Sequence, residues 1–505
     1  MAVNLVDVVL PVISFVGFSL LTVPVVSMIR KSKANKTALM LLWFAVVYLT
    51  SLYTVISLAL NYYTDVNTSP FLIIAMTDNP SLVSFSSSFF IDALAIYMSI
   101  LFVAISAVVF LYTIFVTNLS ERPAERYFAV MLLITGSLIG SIFAGDLLTL
   151  FIFWEASAGA VSFLILFEKT AASLRATLKY LIMIIIASSF IVYGLSIIFG
   201  ITGTLNYWAV KDYLLATNDK SLLTLAFIFI AAGYATEAAV VPFHMWLPDA
   251  YAAAPAASSA FISSVIDQGS YYILVRVFIY ILTPPGVIEW RVMMAILSAL
   301  TMIVANLLAL VEKNVKRLFA LICIADVGYN LIAITSTDPV GIMGNLYFFL
   351  NGGITIALAF MCVGIFNHLG IKTVQDFRGI GHKMPYTSIA LVLGTLSFAG
   401  FPPMAGFIAK YLVFTAAVEA NMAWLAIIGV LMSVVQAAYL ILLYTDMFAK
   451  VPGEVVRMKE PLKLLIPIYI LLGAIIIFGI FPEIVLTLID PVAKQFQIIL
   501  NGGFG

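Results

Sequence analysis

The sequence predicts an all-α, polytopic membrane protein, and three observations support that fold class. First, 63% of the 505 residues are hydrophobic and only 10% are charged, with a mean hydropathy of +1.13. Soluble chains are roughly half apolar and about a quarter charged. Second, apolar runs long enough to cross a bilayer, about 20 residues each, recur along the chain. Third, Lys and Arg are concentrated in alternate loops.

Charged residues separate the apolar runs, so each span can be bounded. Fourteen helices are predicted, at 8–29, 37–64, 93–120, 127–145, 147–167, within 180–210, from 221, about 255–282, 292–311, 318–337, within 339–371, 384–418, within 420–445 and within 464–489. They are numbered helices 1 to 14 in that order. Charges that remain inside the spans are therefore unusual and need a separate explanation.

The alternate loops differ strongly in their Lys and Arg content. Nineteen of the 25 Lys and Arg residues fall in one set of loops, whereas the other set holds only Lys211, Lys220, Arg291 and Lys494. Lys and Arg accumulate in cytoplasmic loops. We therefore expect a multi-pass protein of the cell membrane with Lys/Arg-rich loops in the cytoplasm and both termini outside.

The composition argues against several other classes of protein. The formal net charge is +0, which gives no reason to expect a nucleic-acid partner. Cys323 and Cys362 both lie in apolar runs and are expected to be small core residues. There is no CxxC pair, glycine-rich nucleotide loop or metal-ligand spacing. No cofactor, metal or redox centre is expected in this chain, and the lipid bilayer is its expected surroundings.

Six ionisable side chains are expected at membrane depth, where a charge costs several kcal/mol and usually faces protein or water. They lie on helices 5, 7, 8, 10 and 12 and are Glu155, Glu237, Asp267, Arg276, Asp326 and Lys410. Arg276 is expected to snorkel outward. Asp92 and Asp146, near helix ends, are expected to be caps or interfacial residues.

Two of the predicted helices contain breakers. Helix 7 runs into Val-Pro-Phe-His-Met-Trp-Leu-Pro-Asp at 241–249, and helix 12 contains Gly-Phe-Pro-Pro-Met-Ala-Gly-Phe at 400–407. Proline removes a backbone donor, and irregular backbone at this depth is tolerated only inside protein or beside a cavity. Such paired breaks indicate a transport site. His244, at the first break, is expected either to feed a proton path or to brace the loop.

The two breaks are five helices apart, and an odd number of spans reverses direction across the membrane. Helices 4–8 and 9–13 are therefore predicted to be inverted repeats, within one integral membrane domain covering 1–505. The first repeat is assigned to 121–285 and the second to 286–449. Residues 1–120 hold the peripheral helices 1–3, and 450–505 hold helix 14 and the C-terminus.

Several motifs, found in order, resemble the antiporter-like membrane subunits shared by respiratory complex I, Mrp-type Na⁺/H⁺ antiporters and membrane-bound energy-converting hydrogenases. They are Gly145 through Glu155, the run Pro-Phe-His-Met-Trp-Leu-Pro-Asp-Ala at 242–250, Lys316-Arg317-Leu318, and Gly400 through Lys410. The resemblance covers about 90–490. It implies two inverted half-channels and a midplane line of ionisable residues, with Glu155 and Lys410 matching the family's helix 5 and helix 12 charges.

The chain also departs from that family pattern. Glu237 and Asp267 occupy positions where the family usually has lysine, and Asp326 a position where it often has histidine. In helix 11, the run Asn351 through Ile356 lacks the family's histidine and its final lysine. The resemblance thus implies a relay whose centre is acidic.

The function expected from these observations is translocation of H⁺, Na⁺ or both by a subunit of a membrane-bound, redox-driven complex. The ion-translocating residues would be Glu155, Glu237, Asp267, Asp326, Lys410 and His244. Expected partners are other membrane subunits, including other antiporter-like ones, and peripheral redox subunits. Two alternatives stay open: a redox-independent Mrp-type antiporter subunit, or a non-conducting structural subunit, because Glu237, Asp267 and Ile356 replace the relay lysines.

Overall fold

The computed structural model describes residues 5–65, 72–75, 88–119, 123–216, 221–282, 290–450 and 457–500. Within them, eleven helices are long and apolar enough to cross a membrane. They are helices 1 to 6 (Leu5–Lys31, Lys36–Asp65, Ala93–Val116, Pro123–Phe143, Leu147–Ile165, Ala171–Thr202), helices 9 to 11 (Trp290–Val311, Val315–Ser336, Pro339–His368), helix 13 (Ala423–Met447) and helix 14 (Leu462–Ile480).

Three further spans are not single α-helices: helices 7 and 12 are interrupted, and helix 8 changes its helix type along its length. Helix 7 consists of Ser221–Glu237, a 3₁₀ turn at Phe243–Trp246 and a short helix at Leu247–Ala253. Helix 12 consists of Pro385–Ala399 and Ala405–Glu419, and helix 8 runs without a gap from Ala256 to Ile281. With the eleven continuous helices they make up the predicted fourteen, and the predicted breaks in helices 7 and 12 are confirmed.

Helix 8 departs from α-helical geometry on both sides of Asp267. Ile262–Ile266 and Val275–Ile281 are π-helical, and the α-helical segment Asp267–Leu274 lies between them. A π turn bonds each residue to the fifth along instead of the fourth, and such turns are frequent at functional sites. The sequence pattern does not reveal this feature, because the apolar run through helix 8 has no proline to mark it.

Burial separates a protein-enclosed centre from a lipid-facing rim. In the most apolar stretch of helices 10 and 11 every residue is buried, whereas in helices 1, 2, 6, 13 and 14 only a third of the residues are. The exposed side chains of the rim are mostly large and apolar, for example Leu20, Tyr53 and Ile185. An apolar rim of this kind is suited to contact with lipid.

A helix that the sequence analysis did not predict follows helix 14. Helix 14 was placed within 464–489, but it ends at Ile480, and Glu483–Leu500 form a separate helix. Pro482 lies between them and disfavours helical backbone in the residue before it. Within the second helix, Gln495 accepts a hydrogen bond from the Ala93 backbone N–H at 2.9 Å. The last helix therefore lies against the beginning of helix 3.

The non-helical segments within the described residues include one pair of antiparallel strands, Leu72–Ala75 and Ser88–Ile91, which the all-α prediction missed. Asp146 anchors this region, because its carboxylate accepts hydrogen bonds from the backbone N–H groups of Thr149 at 2.7 Å and Ser88 at 3.1 Å. Asp92 and Asp146 are the N-caps of helices 3 and 5, so their predicted capping role is confirmed. Lys220 lies outside the described residues.

Candidate functional site

Three carboxylates from helices 5, 7 and 8 come together, and we call Glu155, Glu237 and Asp267 the acidic cluster. The carboxyl groups of Glu155 and Glu237 interact with each other, and Tyr180 of helix 6 is within electrostatic range of all three acids. Glu155 accepts a hydrogen bond from Ser188 Oγ at 2.7 Å. The acidic cluster therefore sits between four helices of the first predicted repeat.

Glu237 ends the first segment of helix 7, immediately before the break. Its side chain is buried, and its Oε2 atom accepts a hydrogen bond from the indole N–H of Trp154. Its Oε1 atom has no hydrogen-bond donor among the described residues. A buried acceptor without a donor is costly, by about 1–3 kcal/mol or more for a charged group. Glu237 is thus prepared to take up a proton or another hydrogen-bonding group.

Asp267 faces the same interior from helix 8. The hydroxyl of Tyr251, in the short helix after the helix 7 break, donates to Asp267 Oδ1. Its Oδ2 atom has no donor among the described residues, although the residue is only 4% exposed. The break in helix 7 therefore has a direct structural effect: it brings the Tyr251 hydroxyl onto a buried carboxylate.

A small cavity connects these two acids. It has a volume of about 10 Å³, and its lining includes Glu237, Asp267, Ser270, Trp154 and Tyr180. A space of about 10–15 Å³ holds roughly one water molecule, provided that polar partners surround it. The unsatisfied oxygens of Glu237 and Asp267 are such partners. A single water molecule would fit as a bridge between the helix 7 and helix 8 carboxylates.

A second group of polar side chains surrounds Lys410 on helix 12, and we call Asp326 and Lys410 the mixed cluster. Lys410 Nζ donates hydrogen bonds to Ser433 Oγ at 2.9 Å and Gln436 Oε1 at 2.8 Å, both on helix 13. It also lies 4.3 Å from the centroid of the Tyr329 ring. Asp326 of helix 10 is within electrostatic range of Lys410. Unlike the acidic cluster, this group contains both charge signs.

The break in helix 12 determines how closely the backbone of its two parts approaches the Lys410 side chain. Gly400 has φ +78, in the left-handed region that favours glycine, and a Cβ added there would lie 3.1 Å from Lys410 Cδ. At Gly406 an added Cβ would lie only 1.8 Å from the Ser397 carbonyl oxygen. Ser397 in turn donates to Asn351 Oδ1 of helix 11 at 2.6 Å. The glycines allow the two parts of helix 12 to approach closely beside Lys410.

His244 lies in the 3₁₀ turn after the helix 7 break and is buried. Neither of its ring nitrogens makes a hydrogen bond of normal geometry within the described residues. No hydrogen bond of this kind therefore braces the loop. Its role in a proton path stays a prediction.

Arg276 does not snorkel outward, so that prediction was wrong. Its two terminal nitrogens bind the Asp92 carboxylate at 2.7 and 2.8 Å, and its Nε donates to the Tyr272 hydroxyl at 3.0 Å. Its guanidinium carbon is 4.9 Å from the centroid of the Tyr280 ring. Both charged side chains are fully enclosed, with 1% and 0% of their surfaces exposed. The N-cap of helix 3 therefore supplies the carboxylate that holds Arg276 inside the protein.

Several polar partners at these two clusters were not singled out from the sequence. They are Trp154, Ser188, Tyr251, Tyr329, Ser433 and Gln436. Ser433 and Gln436 carried a usable signal, because residues three apart share a face and helix 13 is otherwise strongly apolar. Tyr251 carried none, since its contact with Asp267 depends on how the chain turns after the break.

Neutral side chains donate hydrogen bonds to the acidic cluster. Within the described residues, no group of three or more His, Cys, Asp or Glu side chains is arranged to bind a metal ion. Tyr251, Trp154 and Ser188 each donate one hydrogen bond to one of the three acids. Such an environment suits carboxyl groups that exchange protons through hydroxyl groups and water.

Comparison with known proteins gives a consistent result. Residues 144–436 match the family described as NADH:quinone oxidoreductase/Mrp antiporter, transmembrane. NADH-quinone oxidoreductase subunit N of Dehalococcoides mccartyi is 30% identical over 440 residues, covering 84% of this chain and 90% of that protein. F(420)H(2) dehydrogenase subunit N of Methanosarcina mazei is 29% identical over 417 residues, covering 79% of this chain and 83% of that protein.

Solved structures share the fold at lower identity. A chain of the membrane-bound sulfane sulfur reductase, an archaeal respiratory membrane complex, superposes with a TM-score of 0.84 at 24% identity, over 97% of this chain and 98% of that chain. A chain of the Mrp complex from Dietzia sp. DQ12-45-1b gives 0.85 at 20% identity, over 98% and 100%. A chain of respiratory complex I from Thermus thermophilus gives 0.80 at 20% identity, over 98% and 100%. The architecture is thus common to these assemblies.

Proposed function

The chain belongs to the NADH:quinone oxidoreductase/Mrp antiporter family of multi-pass membrane subunits, and we propose that it translocates protons as an antiporter-like subunit of a hetero-oligomeric, redox-driven complex. The observation that supports the proposal most directly is the placement of two buried ionisable clusters beside two broken helices. Its relatives are named as subunits of NADH-quinone oxidoreductase and F(420)H(2) dehydrogenase. Electron transfer would occur in partner subunits.

The acidic cluster would relay protons through carboxyl groups. A buried carboxylate and a half-buried one beside it cannot both be ionised cheaply, so Glu237 and Glu155 together would hold at least one proton. The proton would pass from Glu237 to Asp267 through one water molecule in the cavity between them. Tyr251 and Trp154 would orient the acids, because each donates a hydrogen bond to one oxygen of its carboxylate partner and leaves the other oxygen without a donor among the described residues. His244 would donate protons to this route at the end of the bundle where most Lys and Arg residues lie.

The mixed cluster would receive the proton and release it. Lys410, held by Ser433 and Gln436, alternates between charged and neutral forms opposite Asp326. Protonation of one group changes the electrostatic energy of the other, because both are buried. Residues 121–285 and 286–449 would form the two half-channels, flanked by 1–120 and 450–505. The Lys/Arg-rich loops would face the cytoplasm, with both termini outside.

The test uses the assembled complex in liposomes with an imposed K⁺ diffusion potential and a pH indicator inside. Glu237→Gln keeps the shape of the side chain but removes its titration, so proton uptake should fall about 100-fold, as for other positioned proton-transfer groups. Glu419→Gln, an exposed acid at the end of helix 12, is the matched control and should behave as wild type. Unchanged uptake in Glu237→Gln would rule out the proton relay.

Sodium is the alternative ion, and the unsatisfied oxygens of Glu237 and Asp267 are the observation that favours it. Proton uptake should be unaffected by Na⁺ concentration if protons are carried, and tracer Na⁺ should not enter. Na⁺ entry that Glu237→Gln abolishes would identify a sodium path and, in a complex without electron transfer, a Mrp-type subunit. A structural, non-conducting subunit predicts that neither Glu237→Gln nor a change at Lys410 affects ion uptake.

A further inference from the structure

A chain of four charged side chains links the two predicted repeats at the end of the bundle that carries most Lys and Arg, which we call the basic side. Asp249, in the short helix after the helix 7 break, binds Lys179 of helix 6 through Oδ2 at 2.7 Å. Its other oxygen binds Arg317 of helix 10 at 2.5 Å. Arg317 Nε also binds Glu312, which follows helix 9, at 3.2 Å.

These ion pairs connect the two predicted repeats but contribute little to the free energy of unfolding. The four side chains are between 21% and 40% exposed, and ion pairs at that exposure contribute only about 0–1 kcal/mol each. Asp249 binds Lys179 and Arg317 through different oxygens, and Arg317 binds Asp249 and Glu312 through different nitrogens, so each of the two residues joins two partners. A second contact reinforces the link, because Lys316 Nζ donates to the Ala254 carbonyl oxygen at 2.6 Å.

The Asp249–Arg317 ion pair joins two helices, and each of them also carries a residue that belongs to one of the two clusters or contacts it. On one side, the helix that carries Asp249 also carries Tyr251, whose hydroxyl binds Asp267. On the other side, Arg317 and Asp326 lie on the same continuous helix 10, nine residues or about 13 Å apart along the axis. Helix 10 also packs against the short helix Leu247–Ala253. A shift of the short helix would therefore be passed to helix 10 as a rigid body.

We infer that Asp249 and Arg317 are positioning residues that couple the protonation state of the acidic cluster to that of the mixed cluster. This inference rests on the proposed function. A proton lost or gained by Glu237 acts on Asp267 across the cavity that the two acids share, and so on the hydrogen bond that Tyr251 donates to Asp267. The short helix moves with that bond. The Asp249–Arg317 ion pair carries that movement to helix 10 and so to Asp326. Neither residue exchanges a proton with the relay.

The test is an equilibrium titration of Asp326 in the assembled complex, read from the infrared carboxyl band that Asp326→Asn removes. The groups facing Asp326 are Lys410, Tyr271, Tyr329, Tyr439 and Cys323, and they are unchanged in every variant. In an otherwise wild-type complex, Glu237→Gln should change the proton affinity of Asp326 by about fivefold or more, the lower range of allosteric coupling.

Arg317→Gln should reduce that response to Glu237→Gln to less than twofold. Comparing the response within each background cancels the direct effect of the lost Arg317 charge. Lys179→Gln is the matched control, because it also removes an ion pair to Asp249 but leaves the link between repeats, and the response should persist. Arg317→Lys should restore part of it. If Arg317→Gln prevents assembly, Asp249→Asn breaks the same pair from the other side.

A full response in Arg317→Gln, or no response in the wild-type background, would overturn the inference. The measurement is made at equilibrium and needs no ion transport. It can therefore fail while Glu237→Gln still abolishes proton uptake, or succeed while uptake is unaffected. The two outcomes separate this inference from the function on which it rests.

Discussion

The acidic cluster and the mixed cluster each lie beside a broken helix, but they differ in the groups that compensate their charges. Lys410 is surrounded by acceptors on Ser433 and Gln436 and has an acid of opposite sign in range. The acidic cluster consists of carboxyl groups alone. One oxygen of Glu237 and one oxygen of Asp267 lack a hydrogen-bond donor among the described residues. The mixed cluster contains a charge of each sign, so each partly compensates the other, whereas the acidic cluster needs a bound proton or cation for compensation.

The largest expected effect comes from removing the positive charge of the mixed cluster, which is that of Lys410. Lys410→Met leaves Asp326 buried without an opposing charge and should reduce proton uptake by about 100-fold or more. The same change should destabilise the subunit by less than the cost of a broken buried ion pair, which is about 3–5 kcal/mol, because Asp326 can become neutral by taking up a proton. Thermal unfolding of the assembled complex, followed together with uptake, measures both effects.

Lys494→Met is the control for that experiment. Lys494 pairs with Asp490 at 2.6 Å but is 73% exposed, so its loss should change neither uptake nor stability measurably. Uptake near the wild-type rate in Lys410→Met would mean that the second repeat does not conduct.

An intermediate effect on proton uptake is expected when the acidic cluster is given both charge signs, as the mixed cluster has. Glu237→Lys places opposite charge beside Glu155 and restores the residue that the resembling family usually has. We expect proton uptake within about tenfold of wild type, since a lysine at this position can also take up and release a proton. The measurement is uptake by reconstituted Glu237→Lys beside Glu237→Gln. Equal losses in both variants would show that this site requires a carboxyl group and not merely a titratable one.

The smallest effect is expected from the neutral partners of the two clusters. Ser188→Ala removes the donor to Glu155, and Ser433→Ala removes an acceptor of Lys410. A single hydrogen bond is worth about 0.5–1.5 kcal/mol, so each change should slow uptake by about two- to tenfold. Ser433→Ala should have the smaller effect, because Gln436 still holds Lys410. The reverse order would mean that the mixed cluster depends more on precise placement.

The sequence predicted the parts of this architecture that depend on composition along one helix. The fourteen spans, the two breaks and the charged residues inside the spans all follow from apolar length, proline and glycine. Contacts between distant helices could not be predicted. Asp92 and Arg276 are 184 residues apart, and a single sequence gives no measure of which buried charge meets which. The π-helical turns were missed because backbone hydrogen bonding leaves little trace in residue type, whereas the helix after Pro482 was missed although that proline marks the break.

The π-helical stretch before Asp267 makes the direction of that carboxylate depend on chain length. A π turn holds one residue more than an α turn, and each residue of an α-helix advances the side chains by about 100° around the axis. Deleting one residue from Ile262–Ile266 would let that stretch close as an ordinary α turn and keep Asp267 directed at Tyr251 and the cavity. The direction of the carboxylate therefore depends on a residue count that matches the type of turn, and the site should tolerate loss of the one residue that the wider turn holds.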